Sequence, residues 1–426
     1  MSATIIRNGR VIDPANKRDQ VADVFIENGK IVSSLSENQK SKSEIIDATG
    51  LVVAPGLIDI HVHLREPGFG HKETIESGAR AAAAGGFTTV VSMPNTSPAA
   101  DTPSTIAWIR DRAAKFACVN ILPSGAISKN LAGEELAPIG SLVQAGVVAI
   151  TDDGHCIQNH ELMRRAVQYA RMVGVPVLDH CQDYNLVGNG VVHEGYWSTL
   201  LGLPGWPAAG EEAIVMRNIL LAELCDHEIH CQHISAAGSV RLLREARVRG
   251  VKISGEVCPH HIALTDEAIQ DFDTNSKMNP PLRSQEHVDA LLEGIADGTL
   301  EILASDHAPH ALFEKEVEFD RAPFGIVGLE TELGIFIDLL VHKKKVIDLP
   351  RLIEMFTVNP ARLLKIDAGT LSAGASADIT VIDPNLEWTV NAAAFQSASR
   401  NTPFDGRQLK GRAVRTIVGG KTVWQL

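Results

Sequence analysis

Pro55-Gly56-Leu57-Ile58-Asp59-Ile60-His61-Val62-His63 is an apolar run that stops on two histidines set two residues apart. On a β-strand such residues share a face, so His61 and His63 point the same way. Imidazole is also the commonest metal ligand at neutral pH. The pattern of an apolar run closed by polar chemistry recurs along the chain. Further runs end near Asn95, Ala126, Asp153, His180, His233, Cys258 and Asp306, which with His63 makes eight candidate strands. Several segments between them read as helices that close on glycine, as in Ala81-Ala82-Ala83-Ala84-Gly85, Ala170-Arg171-Met172-Val173-Gly174 and Ala246-Arg247-Val248-Arg249-Gly250. Strands alternating with helices imply a parallel sheet. Eight such units over about 250 residues fit a closed (β/α)8 TIM-type barrel. A doubly wound open sheet gives the same alternation, because periodicity does not report closure.

The flanks read differently. Asn8-Gly9 and Asn28-Gly29 are hairpin signals among short alternating segments, and Gly419-Gly420 marks a turn between Thr416-Ile417-Val418 and Thr422-Val423-Trp424. Each end has too few strands to bury a core alone. Residues 1–54 and 369–426 are therefore expected to form one small β-domain beside a barrel of residues 55–368. Two long connections, near residues 182–209 and 308–328, are candidate lids.

Composition bounds the function. The 426 residues are 45% hydrophobic and 21% charged, with mean hydropathy near zero, an ordinary globular balance. No apolar run approaches the roughly 20 residues of a membrane helix. Met1 to Asp13 alternates apolar and polar residues and carries Arg7 and Arg10, unlike a signal peptide, so a cytoplasmic location is expected. The net charge of -13 argues against a nucleic-acid or anionic-membrane surface. It does not argue against a small anionic substrate, since a metal site inverts the local field. Cys118, Cys156, Cys181, Cys225, Cys231 and Cys258 contain no CxxC pair and read as buried free thiols.

In a parallel barrel the C-terminal ends of all strands converge on one mouth. Ile150-Thr151-Asp152-Asp153-Gly154, Val177-Leu178-Asp179-His180, His230-Cys231-Gln232-His233 and Ala304-Ser305-Asp306-His307 would join His61 and His63 there. Four imidazoles and two carboxylates exceed what one tetrahedral zinc requires. Two metals about 3.5–4 Å apart, bridged by a carboxylate and a hydroxide, would use them all. Zinc suits this nitrogen-rich set, and manganese or cobalt could substitute. His71, His155, His160, His260, His261 and His307 are assigned surface or supporting roles; on a strand, the adjacent His260 and His261 would face opposite ways.

Pro55-Gly56-Leu57-Ile58-Asp59-Ile60-His61-Val62-His63-Leu64-Arg65-Glu66-Pro67-Gly68 closely resembles the signature of class I dihydroorotases of the amidohydrolase superfamily. So do Met93-Pro94-Asn95-Thr96, Asn279-Pro280-Pro281-Leu282-Arg283 and Ser305-Asp306-His307-Ala308-Pro309-His310, and the match covers nearly the whole chain. The resemblance implies two Zn(2+) per subunit, with His61, His63 and Asp306 holding one and His180 and His233 the other. Asp153 would bridge them, with Asp152 the competing bridge. Many relatives bridge with a carboxylated lysine, and this strand end has none. The resemblance further implies that Arg65, Asn95 and His310 bind a substrate carboxylate, and that Asn279 and the backbone at Phe324-Gly325 contact ring amide groups.

The implied reaction is the reversible interconversion of (S)-dihydroorotate and N-carbamoyl-L-aspartate, in de novo pyrimidine (UMP) biosynthesis, with a bridging hydroxide as nucleophile and Asp306 as catalytic acid and base. A homodimer and a complex with aspartate transcarbamoylase are both compatible with it. Two rivals stand beside this reading. One is another cyclic amidohydrolase, such as a hydantoinase or allantoinase. The other is a non-catalytic dihydroorotase-like subunit that scaffolds the transcarbamoylase, from which several ligands should be missing.

Overall fold

A computed structural model describes residues 3–426. Its central feature is a ring of parallel pairings. Leu57–Val62 pairs with Phe87–Ser92, which pairs with Asn120–Pro123. Gly125 bridges to Ile150 and Ile150 to Val177, so the fourth position is a single two-sided bridge rather than a strand. Val177–Asp179, Ile229–Cys231, Ile253–Val257 and Ile302–Leu303 continue the ladder. Val62 then bridges to His307 and closes the ring. The closed barrel is thus the outcome, and the open doubly wound sheet is excluded. Every residue of Leu57–Val62 and Phe87–Ser92 is buried. That is the expected state of parallel strands covered on both faces, and it explains their unbroken apolar runs.

The helices obey local rules with one shift. Thr74 caps Ile75–Gly85 by accepting from the Ser77 N–H, while the Ser77 hydroxyl accepts from the Thr74 N–H. The left-handed C-cap of this helix is Gly86 (φ 96°), not the expected Gly85. Gly85 is the last helical residue, and it has no room for a side chain: a Cβ there would lie 2.0 Å from the Leu329 carbonyl oxygen. Gly174 (φ 81°) caps His160–Val173 as expected. Ala237–Val248 ends at Arg249, with Gly250 (φ 76°) one residue later.

Both chain ends build one eight-stranded sheet. Its order is Lys421–Gln425, Gln408–Val418, Ile379–Thr389, Val52–Pro55, Ala3–Asp13, Arg18–Glu27 and Lys30–Val32, with Glu44–Asp47 also beside Ala3–Asp13. The join is antiparallel, with Ile379 opposite Pro55 and Val381 opposite Val53. Asn28-Gly29 makes the two-residue turn that sets Glu27 opposite Lys30, and Gly419-Gly420 does the same for Val418 and Lys421. Asn8-Gly9 is not a hairpin. It is an irregularity inside Ala3–Asp13, where the register against Arg18–Glu27 shifts between Ile6 and Gly9. Asn8 takes φ 62°, and a Cβ on Gly9 would lie 2.5 Å from Val53 Cγ2. An asparagine–glycine pair supplies the positive φ and the bare backbone that a bulge needs as readily as those of a turn.

The connection 182–209 holds the short helices Tyr184–Val187 and Tyr196–Leu201 and a two-stranded parallel pairing of Val192–His193 with Gly205–Trp206. Residues 390–404, between two strands of the sheet, run across to the barrel. There Val390, Ala392, Phe395 and Phe404 share an apolar cluster with Met278, Ala308, Ile326 and Val327.

Gly56 separates the sheet strand Val52–Pro55 from the barrel strand Leu57–Val62, and a Cβ there would lie 2.0 Å from Thr88 Oγ1 and 2.7 Å from Thr88 Cβ. Gly56→Ala should therefore destabilise the protein by about 2 kcal/mol or more, read as a lower urea midpoint at unchanged m-value.

Candidate metal centre and substrate pocket

The six side chains expected to meet do meet. His61, His63, Asp153, His180, His233 and Asp306 are between 0% and 5% exposed and lie at one end of the barrel. His61 Nε2 is 3.2 Å from Asp153 Oδ1 and 3.4 Å from Asp306 Oδ1. His63 Nε2 is 3.3 Å from Asp153 Oδ2 and 3.1 Å from Asp306 Oδ1. His180 Nδ1 and His233 Nε2 are 2.7 Å apart, and lie 3.7 and 3.8 Å from Asp153 Oδ1. Two donors held about 2.0–2.2 Å from one tetrahedral zinc stand roughly 3.3–3.5 Å apart. The contacts of His61 and His63 with Asp153 and Asp306 lie near that separation, whereas His180 Nδ1 and His233 Nε2 are at hydrogen-bond distance and would have to part to share a cation. Asp153 touches both halves of the cluster, as a bridge must.

Asp152 faces elsewhere. Its carboxylate accepts from the Ile127 and Ser128 N–H groups at 2.7 and 3.0 Å and from the Ser128 hydroxyl. Burial raises its pKa to about 7, partly offset by those bonds. It stitches the fourth strand position to the loop after the third.

The outward nitrogens of three rings are committed. His61 Nδ1 meets Glu256 Oε1 at 2.6 Å, His63 Nδ1 meets Asn95 Oδ1 at 2.9 Å, and His180 Nε2 meets Gln182 Oε1 at 2.9 Å. Each acceptor favours the tautomer with its proton on the outward nitrogen, the one a metal-ligating histidine needs. Glu256 also accepts from His230 Nε2 at 3.0 Å and from the His233 N–H at 3.1 Å. Burial opposes its charge, yet His61 and His230 hold its pKa near 2. Burial, helped by neighbouring His233, lowers His180 to about 4, so this ring is neutral and able to ligate. For His61, burial disfavours the cation, but Asp306, Asp153 and Glu256 outweigh it and raise its pKa well above the ordinary value. That excess of negative charge around a buried ring is what bound cations would neutralise.

The backbone is strained where it delivers these groups. Arg65 (φ 61°), His233 (φ 33°) and Asp306 (φ 45°) all occupy the left-handed region, which non-glycine residues rarely adopt. The supports are polar and buried. Asp59 accepts from the His61 N–H at 3.0 Å and from the Ser305 N–H and hydroxyl, tying the first strand to the eighth. Asp179 takes Arg217 Nη2 at 2.6 Å and Asn218 Nδ2 at 2.7 Å, fixing the strand that carries His180.

A cavity of about 320 Å³ opens onto this cluster. All six residues proposed for substrate contact line it: Arg65, Asn95, Asn279, His310, Phe324 and Gly325. Arg65 Nε donates to the Pro309 carbonyl at 3.2 Å, and its Nη2 is 3.5 Å from His310 Nε2. Desolvation lowers Arg65 to about 10 against the pull of Asp306 and Asp153. Burial, then Arg65 and Lys72, press His310 down to about 2, so its ring is neutral beside two cations. Asn95 spends its carbonyl on His63, and its Nδ2 is 3.4 Å from the Asp153 carbonyl. Asn279 Nδ2 donates to Gln182 Oε1 at 3.2 Å.

Several contributors escape sequence reasoning. Glu256 sits inside Ile253–Val257, and its one signal is a lone acid in an otherwise uncharged strand. Gln182 follows His180 at the spacing of one strand face, a signal easy to pass over. His260 and His261 lie on the helix Pro259–Ala263 rather than on a strand, with ring centroids 4.3 Å apart, so the opposite-face expectation fails for them. With Cys258 they form a second buried donor group.

Comparison with known proteins agrees with this architecture. A family model described as dihydro-orotase-like matches residues 50–239, and one described as the amidohydrolase family matches residues 209–423. The chain is 53% identical over 421 residues to a dihydroorotase of Pelotomaculum thermopropionicum, covering 99% of this chain and 98% of that protein. It is 49% identical over 423 residues to a dihydroorotase of Geobacter metallireducens, covering 99% of each. Among solved structures, an L-hydantoinase (dihydropyrimidinase) from Arthrobacter aurescens superposes with a TM-score of 0.90 at 26% identity, covering 100% of this chain and 96% of that one. A dihydropyrimidinase from Brevibacillus agri gives 0.86 at 26% identity, covering 99% and 95%.

The geometry separates neighbouring aspartates experimentally. Asp153→Asn should lower metal content measured on dialysed protein by plasma mass spectrometry, whereas Asp152→Asn should retain metal and lose thermal stability. Glu256→Gln should weaken metal affinity about 10–100-fold in a chelator competition. With identity near half sustained across its whole length, this chain belongs to the dihydroorotase family of amidohydrolases.

Proposed function

We propose that this protein catalyses the reversible hydrolysis of (S)-dihydroorotate to N-carbamoyl-L-aspartate, in de novo pyrimidine biosynthesis, with two zinc ions held by His61, His63, Asp153, His180, His233 and Asp306. One observation carries the reading: a single cavity is lined both by members of the imidazole–carboxylate cluster and by Arg65 with His310. A small ring that bears a carboxylate would bridge the two. Solved hydantoinases and dihydropyrimidinases share the fold. The Arg65 group and the lysine-free fourth strand end favour dihydroorotate over a hydantoin or a dihydropyrimidine.

Bound zinc would supply a water acidic enough to attack at neutral pH and a Lewis acid for the scissile carbonyl. The chain's own residues do the rest. Arg65 keeps guanidinium N–H groups free for a carboxylate after donating to Pro309, and a planar fork suits that partner. Asn279 and the Phe324-Gly325 backbone orient the ring amides. Asp306, at the cavity wall, accepts the proton of the attacking water and delivers it to the ring nitrogen. In the biosynthetic direction the same carboxyl receives the proton from the carbamoyl nitrogen.

We assign the enzyme to the cytoplasm, in keeping with six unpaired cysteines. No helix among the described residues is long and apolar enough to cross a membrane. Self-association, or a complex with aspartate transcarbamoylase, would find a surface on the helix Ala209–Cys225, where Met216, Leu220 and Leu224 stand exposed on one face.

Asp306→Asn should leave the fold intact and cut turnover at least 10³-fold, measured by loss of dihydroorotate absorbance; near-normal turnover would remove the acid–base role. Dihydroorotate, hydantoin and allantoin assayed side by side on zinc-replete protein should show only the first turned over efficiently. Chelator treatment should abolish the activity and added zinc restore it.

A further inference from the structure

Asn401 lies 95 residues beyond Asp306, in the crossover between two strands of the sheet, yet it is 4% exposed at the barrel mouth. Its side chain makes three hydrogen bonds to two separate walls of the substrate cavity. Its Oδ1 accepts from the His310 N–H at 3.0 Å. Its Nδ2 donates to the Ala308 carbonyl at 3.0 Å and to the Gly325 carbonyl at 3.0 Å. Its own carbonyl accepts from the Val327 N–H at 3.0 Å. The carboxamide therefore uses both of its ends to hold residues 308–310 against residues 325–327.

Those two walls are the ones whose spacing decides substrate fit. His310 Nε2 meets the Phe324 carbonyl at 2.8 Å, and a Cβ on Gly325 would sit 2.8 Å from His310 Cδ2 and 2.6 Å from the Ala308 carbonyl oxygen. The segment that carries Asn401 is itself pinned. Glu73 accepts from the Ala398 N–H at 3.0 Å and from the Ser397 hydroxyl, and the Ser399 hydroxyl donates to the Lys72 carbonyl at 2.6 Å. The crossover thus joins the loops after the first and eighth barrel strands. We infer that Asn401 is a positioning residue for the substrate carboxylate, acting through the backbone of His310 and Gly325. This rests on the assignment of Arg65 and His310 to that carboxylate.

Asn401→Ala should raise KM for dihydroorotate about tenfold while kcat stays within about threefold, because Asn401 bonds to the pocket walls and to none of the six clustered imidazoles and carboxylates. Asn401→Asp has the same shape but turns an oxygen toward two carbonyls, so it should raise KM at least as much. It carries the test if the alanine variant does not fold. Zinc content should remain at the wild-type value in both. The decisive comparison is His310→Ala alone against His310→Ala with Asn401→Ala. If Asn401 acts through His310, the second change should add less than about twofold to KM. Full additivity of the two effects, or an unchanged KM in both Asn401 variants, would overturn the inference. Wild-type protein loaded with zinc but unable to hydrolyse dihydroorotate would instead bring down the functional reading beneath it.

Discussion

Everything at the mouth of this barrel depends on holding ionisable groups out of water in one protonation pattern. Four imidazoles and two carboxylates at no more than 5% exposure would be prohibitively unfavourable if their charges were left to choose. Glu256, Asn95 and Gln182 each occupy the outer nitrogen of one ring, so the inner lone pairs face one another across a few ångströms. Positive charge at its centre, from ring protons or from bound cations, would offset the carboxylates gathered there. The strained backbone at Arg65, His233 and Asp306 belongs to the same economy, since rigid barrel strands on every side hold it in place.

Much of this could be read from residue order alone. The His61–His63 spacing and the polar closures of later apolar runs point to the six side chains that gather at the mouth, because strand ends in a parallel barrel have only one place to meet. The choice between Asp152 and Asp153 could not be read, since adjacent side chains on an irregular segment differ only in which way the backbone turns them. Glu256 was hidden by its strand, which otherwise reads as core. Asn401 was hidden by distance: nothing local in Ser399-Arg400-Asn401-Thr402 distinguishes a pocket residue from any polar loop residue.

The misread details share one physical origin. Asn8-Gly9 carries the chemistry of a tight turn and the chemistry of a bulge equally well, and only the partner strand decides between them. Gly85 looked like a helix terminus because glycine is usual there, but it is glycine for the sake of the Leu329 carbonyl. The fourth barrel position is Ile150 alone, bridged to Gly125 on one side and Val177 on the other. Local propensity proposes several solutions in each case, and packing against distant chain selects one.

The sheet that flanks the barrel is laced from opposite ends of the polypeptide, with Ile379–Thr389 seated beside Val52–Pro55. A ribosome must therefore pass residue 389 before Val52–Pro55 gains its second neighbour, although the earliest strands can pair among themselves. The crossover bearing Asn401 emerges in the same late stretch. A nascent chain can display its histidines early, but the walls of the cavity are not tied together until residue 401 has been made. A chain ended between residues 307 and 378 would carry all six clustered imidazoles and carboxylates but lack both the late strands and Asn401, a candidate for proteolytic clearance rather than a partial enzyme.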